Sequence, residues 1–186
     1  NRAGAAAMVG AEHVARSTPD GTTLLVVPPH FFVSDMIYKA SFDPRAFAPV
    51  SIIATYPNVL LAGPAVGAKG LDQFMSLARQ SSRPLTAASP GAGTSQHLSA
   101  EMLKAMTSFN YSHIPYKGTA PAINDVMGGH VDFMFDNMLT ALPLIKGNKL
   151  TLLAVGSATR SKLFPNTPAL SEIVPGYESV TWMGLV

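Results

Sequence analysis

Short runs of β-branched and leucine-rich residues recur along the chain at 24–27, 58–62, 85–88, 111–114, 131–135 and 150–155, and the closing stretch 180–186 has the same character. Runs of this length, bounded by Gly, Pro and polar residues, read as strands. Between the later runs the apolar period lengthens to that of a helix. Leu71, Phe74, Met75 and Ala78 fall at i, i+3, i+4 and i+7, which predicts an amphipathic helix whose Asp72 suits the positive end of the dipole. A second helix is predicted from Thr94 or Ser95 to Met106, with Leu98, Met102 and Met106 spaced four apart. A third covers 119–127, with Pro121 near its start and Gly128-Gly129 at its end, the expected placement of a first-turn proline and a terminal glycine. A fourth follows Asn137, and Pro143 requires it to begin late or to kink. The alanine-rich opening 4–16 predicts one more helix, stopped by the turn Ser17-Thr18-Pro19-Asp20-Gly21.

Strands alternating with helices argue for an α/β fold with a parallel sheet. The texture is uneven. Residues 28–57 read as loop, with Pro28-Pro29, Asp43-Pro44 and Ala48-Pro49, whereas 71–155 alternates regularly and 161–176 is irregular again. The expected organisation is two lobes: 1–62 together with 178–186 as a partial first domain, and 63–177 as the second.

Composition narrows the function. Of 186 residues 47% are hydrophobic and 13% charged, enough apolar material for a packed core. The net charge is +2, and the 13 Lys and Arg are scattered with no run that could track a phosphate backbone, so no nucleic-acid partner is expected. With no Cys there is no disulfide framework and no thiolate ligand or nucleophile. His13, His30, His113 and His130 lack ligand-pair spacing, so neither a metal nor another cofactor is expected. The longest apolar stretch, 59–68, is interrupted by Gly63, Pro64 and Gly67 and is far short of the ~20 residues of a membrane helix.

In open parallel sheets ligands collect beyond the carboxyl ends of the strands, and that rule selects the candidate residues. After the strand 85–88 comes Ser89-Pro90-Gly91-Ala92-Gly93-Thr94-Ser95-Gln96-His97, a glycine-rich turn opening a helix. The glycines let backbone N–H groups approach a ligand, Thr94 or Ser95 can cap, and the helix dipole favours an anion. The same sequence serves equally as a tight, capped connection. It is neither a dinucleotide fingerprint, since Gln96 stands where a third Gly is needed, nor a phosphate loop, since no Lys follows Gly93. His97 either bonds the loop backbone or faces a ligand. Ser95 and His97 fall at i and i+2 and point apart on a helix, against a nucleophile and base pair. Asp136 either receives a ligand donor or caps the helix after it, Asp132 reads as part of a polar edge, and Lys117 as a surface lysine. The segment Pro28-Pro29-His30-Phe31-Phe32-Val33-Ser34 follows the first strand and is expected to face this cleft from the other lobe.

Ordered motifs across the whole chain resemble one family. These are Asn1-Arg2-Ala3-Gly4-Ala5, Thr18-Pro19-Asp20-Gly21-Thr22-Thr23-Leu24-Leu25, and Phe42-Asp43-Pro44 with Phe47-Ala48-Pro49-Val50. Ala88-Ser89 with Gly91-Ala92-Gly93-Thr94-Ser95 and His97, His113-Ile114-Pro115-Tyr116-Lys117-Gly118, and Val131-Asp132-Phe133-Met134-Phe135-Asp136-Asn137 continue the series. Together they resemble the Bug family of tripartite tricarboxylate transporter receptors. The resemblance implies a bilobal, periplasmic-binding-protein (type II) Venus-flytrap fold, here expected to be truncated at both ends. It also implies an exported, periplasmic, monomeric receptor, not an enzyme, that binds a small carboxylate and delivers it to the membrane subunits of the transporter. Carried over to this chain, the ligand-binding set is Ser89, Gly91, Ala92, Gly93, Thr94, Ser95, His97 and Asp136, with His30 and Ser34 opposite. The chain departs from the family pattern at Ala3, Ala6, Ala7 and Pro28-Pro29-His30, the last of these in the expected pocket wall. Two other readings remain beside it: the effector-binding domain of a transcriptional regulator with the same fold, and an enzyme using Ser95, His97 and Asp136.

Overall fold

The computed structural model describes residues 8–36 and 42–186. The long strand β2 (Ser51–Ala62) belongs to two sheets at once. Along 51–57 it pairs antiparallel with β7 (Val180–Leu185), whose other edge carries the short β1 (Val26–Val27). Along 58–62 it lies between β5 (Phe133–Asn137) and β6 (Thr151–Val155), antiparallel to both. Beyond β5 come β3 (Leu85–Ser89) and β4 (Tyr111–Pro115), all three parallel. The larger sheet therefore runs β6-β2-β5-β3-β4, four parallel strands with one antiparallel strand inserted.

Two expectations are corrected here. The sheet is not wholly parallel, because β2 enters the larger sheet from the smaller one and must run against its neighbours. Residues 51–57 are strand and not loop. Their apolar members do not alternate with burial, since Ile52 and Ile53 are 65% and 57% exposed, so the usual period-two signal is missing. Pro57 stands opposite Val180 at the end of the β2–β7 ladder, a position where a missing N–H is tolerated.

Strand alternation distributes the larger sheet's side chains to two cores. Leu60, Ala62, Ala87, Phe133, Phe135 and Leu153 pack with Leu71, Phe74 and Met75 of α2 (Leu71–Gln80) and with Ala100 and Leu103 of α3 (Ser95–Met106). Val59, Leu61, Ala88, Met134 and Val155 pack on the other face with Ala122 and Val126 of α4 (Thr119–Met127) and Met138 and Ala141 of α5 (Met138–Lys146). The result is a helix–sheet–helix sandwich. α5 does not begin late: Asn137 caps it by accepting the Thr140 N–H at 3.0 Å. Pro143 then lies beyond the first turn, where its missing N–H removes one internal bond. The smaller sheet packs Val27, Phe31, Phe32, Phe42, Phe47 and Trp182 beside Ala11 of the opening helix, which is described over Met8–Ala15; the expected helical residues 4–7 lie outside the described residues.

Candidate functional site

The carboxyl ends of β3, β4 and β5 lie side by side at the end of the larger sheet where β2 crosses over. Each opens into a helix, so the amino ends of α3, α4 and α5 gather there. The connections are tied to one another, since Tyr116 N–H donates to Ser89 O (2.9 Å) and Gly118 N–H to Pro90 O (3.0 Å).

A donor-by-donor account of the turn before α3 shows what it can offer. Thr94 is the N-cap: its hydroxyl donates to Gly91 O at 2.8 Å and accepts the His97 N–H at 3.4 Å. The Thr94 N–H goes to Gly91 O, the Leu98 N–H to Thr94 O, the Gly91 N–H to Ser89 Oγ and the Gly93 N–H to His97 Nδ1. The N–H groups of Ser95 and Gln96, the first two helical positions, take no partner among the described residues. These two point out of the positive end of a 12-residue helix and form a neutral anion cradle. The sequence offered Thr94 as a cap and, through the family resemblance, as a ligand contact; the capping role is the one seen, since its hydroxyl is 5% exposed and both its donor and acceptor roles are engaged within the turn. Gly93, at φ +77°, makes this geometry possible.

Asp136 is fully enclosed. Its carboxyl accepts from the Thr140 hydroxyl, from Asn137 N–H (2.8 Å) and, at 3.5 Å, from Gln96 Nε2. Burial pushes the acid upward against the hydrogen bonds from Thr140, Asn137 and Gln96. It thus joins the first turns of α3 and α5 and supports the site without itself being open to it. Ser95 Oγ donates to Gln96 Oε1 at 3.1 Å and remains partly exposed. Half-buried Tyr56, on β2, lies close enough to Asp136 that burial and the carboxylate charge both raise its hydroxyl.

Below the cradle the two chain crossings are fastened together. Asn58 Nδ2 donates to Ser99 Oγ (2.9 Å) and Ser179 Oγ (3.0 Å), and the Ser99 hydroxyl meets Ser179 Oγ and Ser95 O. Tyr177 OH donates to Ser99 O at 2.9 Å, while Gly156 N–H donates to Asn58 O and Ser179 N–H to Gly156 O, both at 2.7 Å. Sequence reasoning missed Tyr56, Asn58, Gln96, Ser99 and Ser179. The available signal for Ser99 was its place four residues after Ser95 on the α3 face that carries buried Leu103.

The remaining candidates are placed as follows. Ser89 is buried, its hydroxyl shared between Gly91 and His113. His97 serves the backbone of the turn through Nδ1. β1 and β2 run the same way, and the 3-10 helix Pro29–Met36 follows directly on β1, its Phe32 ring lying beside Trp182 of β7. It carries His30, whose Nδ1 is enclosed without a partner among the described residues and whose ring burial holds down to about 4. Ser34 lies on the same helix, its side chain outside the described residues. Lys117 is exposed, as expected. Asp132 is not a polar edge: it is buried at the far end of the sheet and takes a bidentate bond from Arg83 at 2.8 and 2.9 Å. Among the described residues no group of three His, Asp or Glu could hold a metal ion, and no helix is long and apolar enough to cross a membrane.

Comparison with known proteins gives a consistent picture. The family model described as "Tripartite tricarboxylate transporter family receptor" matches residues 1–186. The chain is 30% identical to protein BugT of Bordetella pertussis, over 100% of this chain and 59% of BugT. Among solved structures it is similar to Rpa4515 of R. palustris with adipate, with a TM-score of 0.94 and 32% identity over 100% of this chain and 63% of that one. It is likewise similar to the periplasmic binding protein BugD, with a TM-score of 0.91 and 30% identity over 100% and 63% of the two chains. The expected family and the periplasmic-binding-protein fold are both borne out, and the chain spans less than two thirds of these relatives' length.

Proposed function

We propose that this chain, which belongs to the tripartite tricarboxylate transporter receptor family, is part of an extracytoplasmic receptor that clamps a small carboxylate beside the amino end of α3. The observation that carries this reading is the pair of N–H groups on Ser95 and Gln96, without a partner among the described residues, at the carboxyl edge of a largely parallel sheet. Neutral amides at a helix terminus hold a carboxylate without a compensating cation. Such a site releases its ligand more readily than one built on a buried Arg, as delivery to a transporter requires. Adipate in the similar R. palustris structure supports a dicarboxylate as the first ligand to test.

The lobes in this reading are 1–62 with 178–186 and 63–177, with His30 and Ser34 facing the turn of Ser89, Gly91, Ala92, Gly93, Thr94, Ser95 and His97 across the cleft and Asp136 supporting that turn from within. The division is supported by β2 passing from one sheet to the other between Pro57 and Asn58, a few residues before the boundary expected from sequence. The receptor works in the periplasm as a monomer and hands its ligand to the membrane subunits of the transporter. It binds and does not transform: Ser95 bonds Gln96, His97 bonds Gly93, and the two side chains share no hydrogen bond. No finding favours the regulator reading.

Thermal unfolding of the full-length protein with adipate, shorter and longer dicarboxylates, citrate and benzoate tests the proposal. Ligand at ~100 times its dissociation constant stabilises by about 2.7 kcal/mol. A folded protein whose midpoint moves with none of these is not a carboxylate receptor.

A further inference from the structure

We propose that His97 and His113 are positioning residues, a stacked pair of imidazoles that hold both ends of the anion-binding turn, His97 through a bare Nδ1 and His113 through the Ser89 hydroxyl, in the shape that presents Ser95 and Gln96. The proposal rests on the carboxylate-receptor reading for its purpose but on hydrogen-bond geometry for its content. The two rings lie 3.9 Å apart between centroids and 21° from parallel, although one belongs to α3 and the other to β4. His97 Nδ1 accepts the Gly93 N–H at 3.1 Å. His113 Nε2 lies 2.6 Å from Ser89 Oγ, and that oxygen accepts the Gly91 N–H at 3.2 Å. The N–H groups of both turn glycines are therefore drawn toward the imidazoles, one directly and one through Ser89. With those donors turned aside, the N–H groups of Ser95 and Gln96 are left facing out of the helix end, without a partner among the described residues.

The arrangement works only with an acceptor on His97. A nitrogen that accepts from a backbone N–H cannot carry a proton, so the His97 proton sits on Nε2, 3.8 Å from Glu101 Oε1. Protonating Nδ1 would set two donors against each other, and protonating both rings would stack two cations. The ionisable groups facing the pair are few. From α3 comes Glu101, which also accepts from Tyr111 OH on β4 at 2.7 Å, and Lys104, which stands 5.6 Å over the Tyr111 ring. From the loop into α4 comes Tyr116, bonded to Asp125 on α4. β3 contributes Ser89 and the turn itself nothing that titrates. Burial holds His97 below the ordinary imidazole value against the pull of Glu101, and burial followed by the neighbouring His97 brings His113 to about 4.

The test follows the Gly93 amide and the imidazole nitrogens of the ligand-free full-length protein by NMR between pH 7.5 and 4.5. His97 Nδ1 is expected to be unprotonated at pH 7.5, and the Gly93 amide to shift as the ring titrates. His97→Asn places an amide oxygen where Nδ1 stood, so it keeps Gly93 protected from exchange while flattening the pH response. His97→Ala loses protection on the order of tenfold, one hydrogen bond's worth. His113→Gln gives the second reading, through the Gly91 amide. If Gly93 exchanges equally in wild type and His97→Ala, or its amide ignores pH, the positioning role is wrong. A companion titration with adipate separates the two proposals. If Gly93 responds as expected but no carboxylate binds, the receptor reading falls and the hold on the turn stands. If adipate binds with the same affinity and pH profile in wild type and His97→Ala, the receptor reading stands and the positioning role falls.

Discussion

Asp132 and Asp136 lie four residues apart at the two ends of the same parallel segment, and the protein treats them oppositely. At the amino end, burial pushes Asp132 upward, but Arg83 and the N–H and hydroxyl of Thr86 outweigh it and hold the acid below its ordinary value. At the carboxyl end Asp136 is wholly enclosed, has no cation beside it among the described residues, and is pushed upward. A fixed cation belongs where a strand must be anchored. In the carboxylate-receptor reading proposed above it is kept from the end where a charged ligand would come and go, and there the work falls to amides, hydroxyls and helix termini.

The largest expected effect tests the carboxyl end. A Cβ on Gly156 would meet Asn58 O and Ser179 O, both at 2.8 Å, and neither backbone can move without breaking the bonds that join the crossings. Gly156→Ala is expected to cost about 3 kcal/mol in denaturant unfolding and to weaken carboxylate binding along with it. Next comes Asp132→Ala, which leaves the Thr86 N–H and hydroxyl without an acceptor for about 2 kcal/mol; Arg83 itself is 62% exposed, so its pairing adds little. Its affinity for adipate, read by calorimetry, should stay within about twofold of wild type because the loss is at the far end of the sheet. A parallel loss of affinity would erase the contrast between the two ends. Thr94→Val removes the cap of α3 for about 1 kcal/mol of stability and loosens the cradle, so it should lower affinity by more than Asp132→Ala although it destabilises less.

The two acids also differ in the sign of their pH dependence. Asp132 has a lowered folded value, so its stabilisation is present above the ordinary 3.8 and is lost as pH falls through the folded value. Asp136 has a raised one, so its cost is absent in acid and grows as pH rises from 3.8 through the folded value. Unfolding free energies from pH 3 to 7 should show Asp132→Asn losing least in acid and Asp136→Asn gaining, relative to wild type, as pH rises. Slopes of the same sign would mean that the two sites are not electrostatically distinct.

Much of this site was legible because it is local. The strand 85–88, the glycine-rich turn, the capping hydroxyl and the apolar face of α3 all lie within about twenty consecutive residues, and the turn chemistry of Gly and Thr is intrinsic to the backbone. The GAGTS stretch and Asn137 could be read as helix starts, and both are caps. Illegible were the bonds with long sequence separation. Asn58 meets Ser99 and Ser179 at separations of 41 and 121 residues, and Gln96 meets Asp136 at 40. Each of these polar residues alone has the look of a surface position.

By itself the sequence determined most of the element types, the family, and the location of the glycine-rich turn, because propensity, periodicity and ordered motifs act along the chain. Only the tertiary structure decided that β2 runs against its neighbours and joins two sheets. It alone tied Gln96 to the Asp136 carboxyl and stacked His97 on His113. The reason is hydrogen-bond completeness: which donors remain for a ligand depends on which acceptors the fold brings within about 3 Å, and those come from other elements.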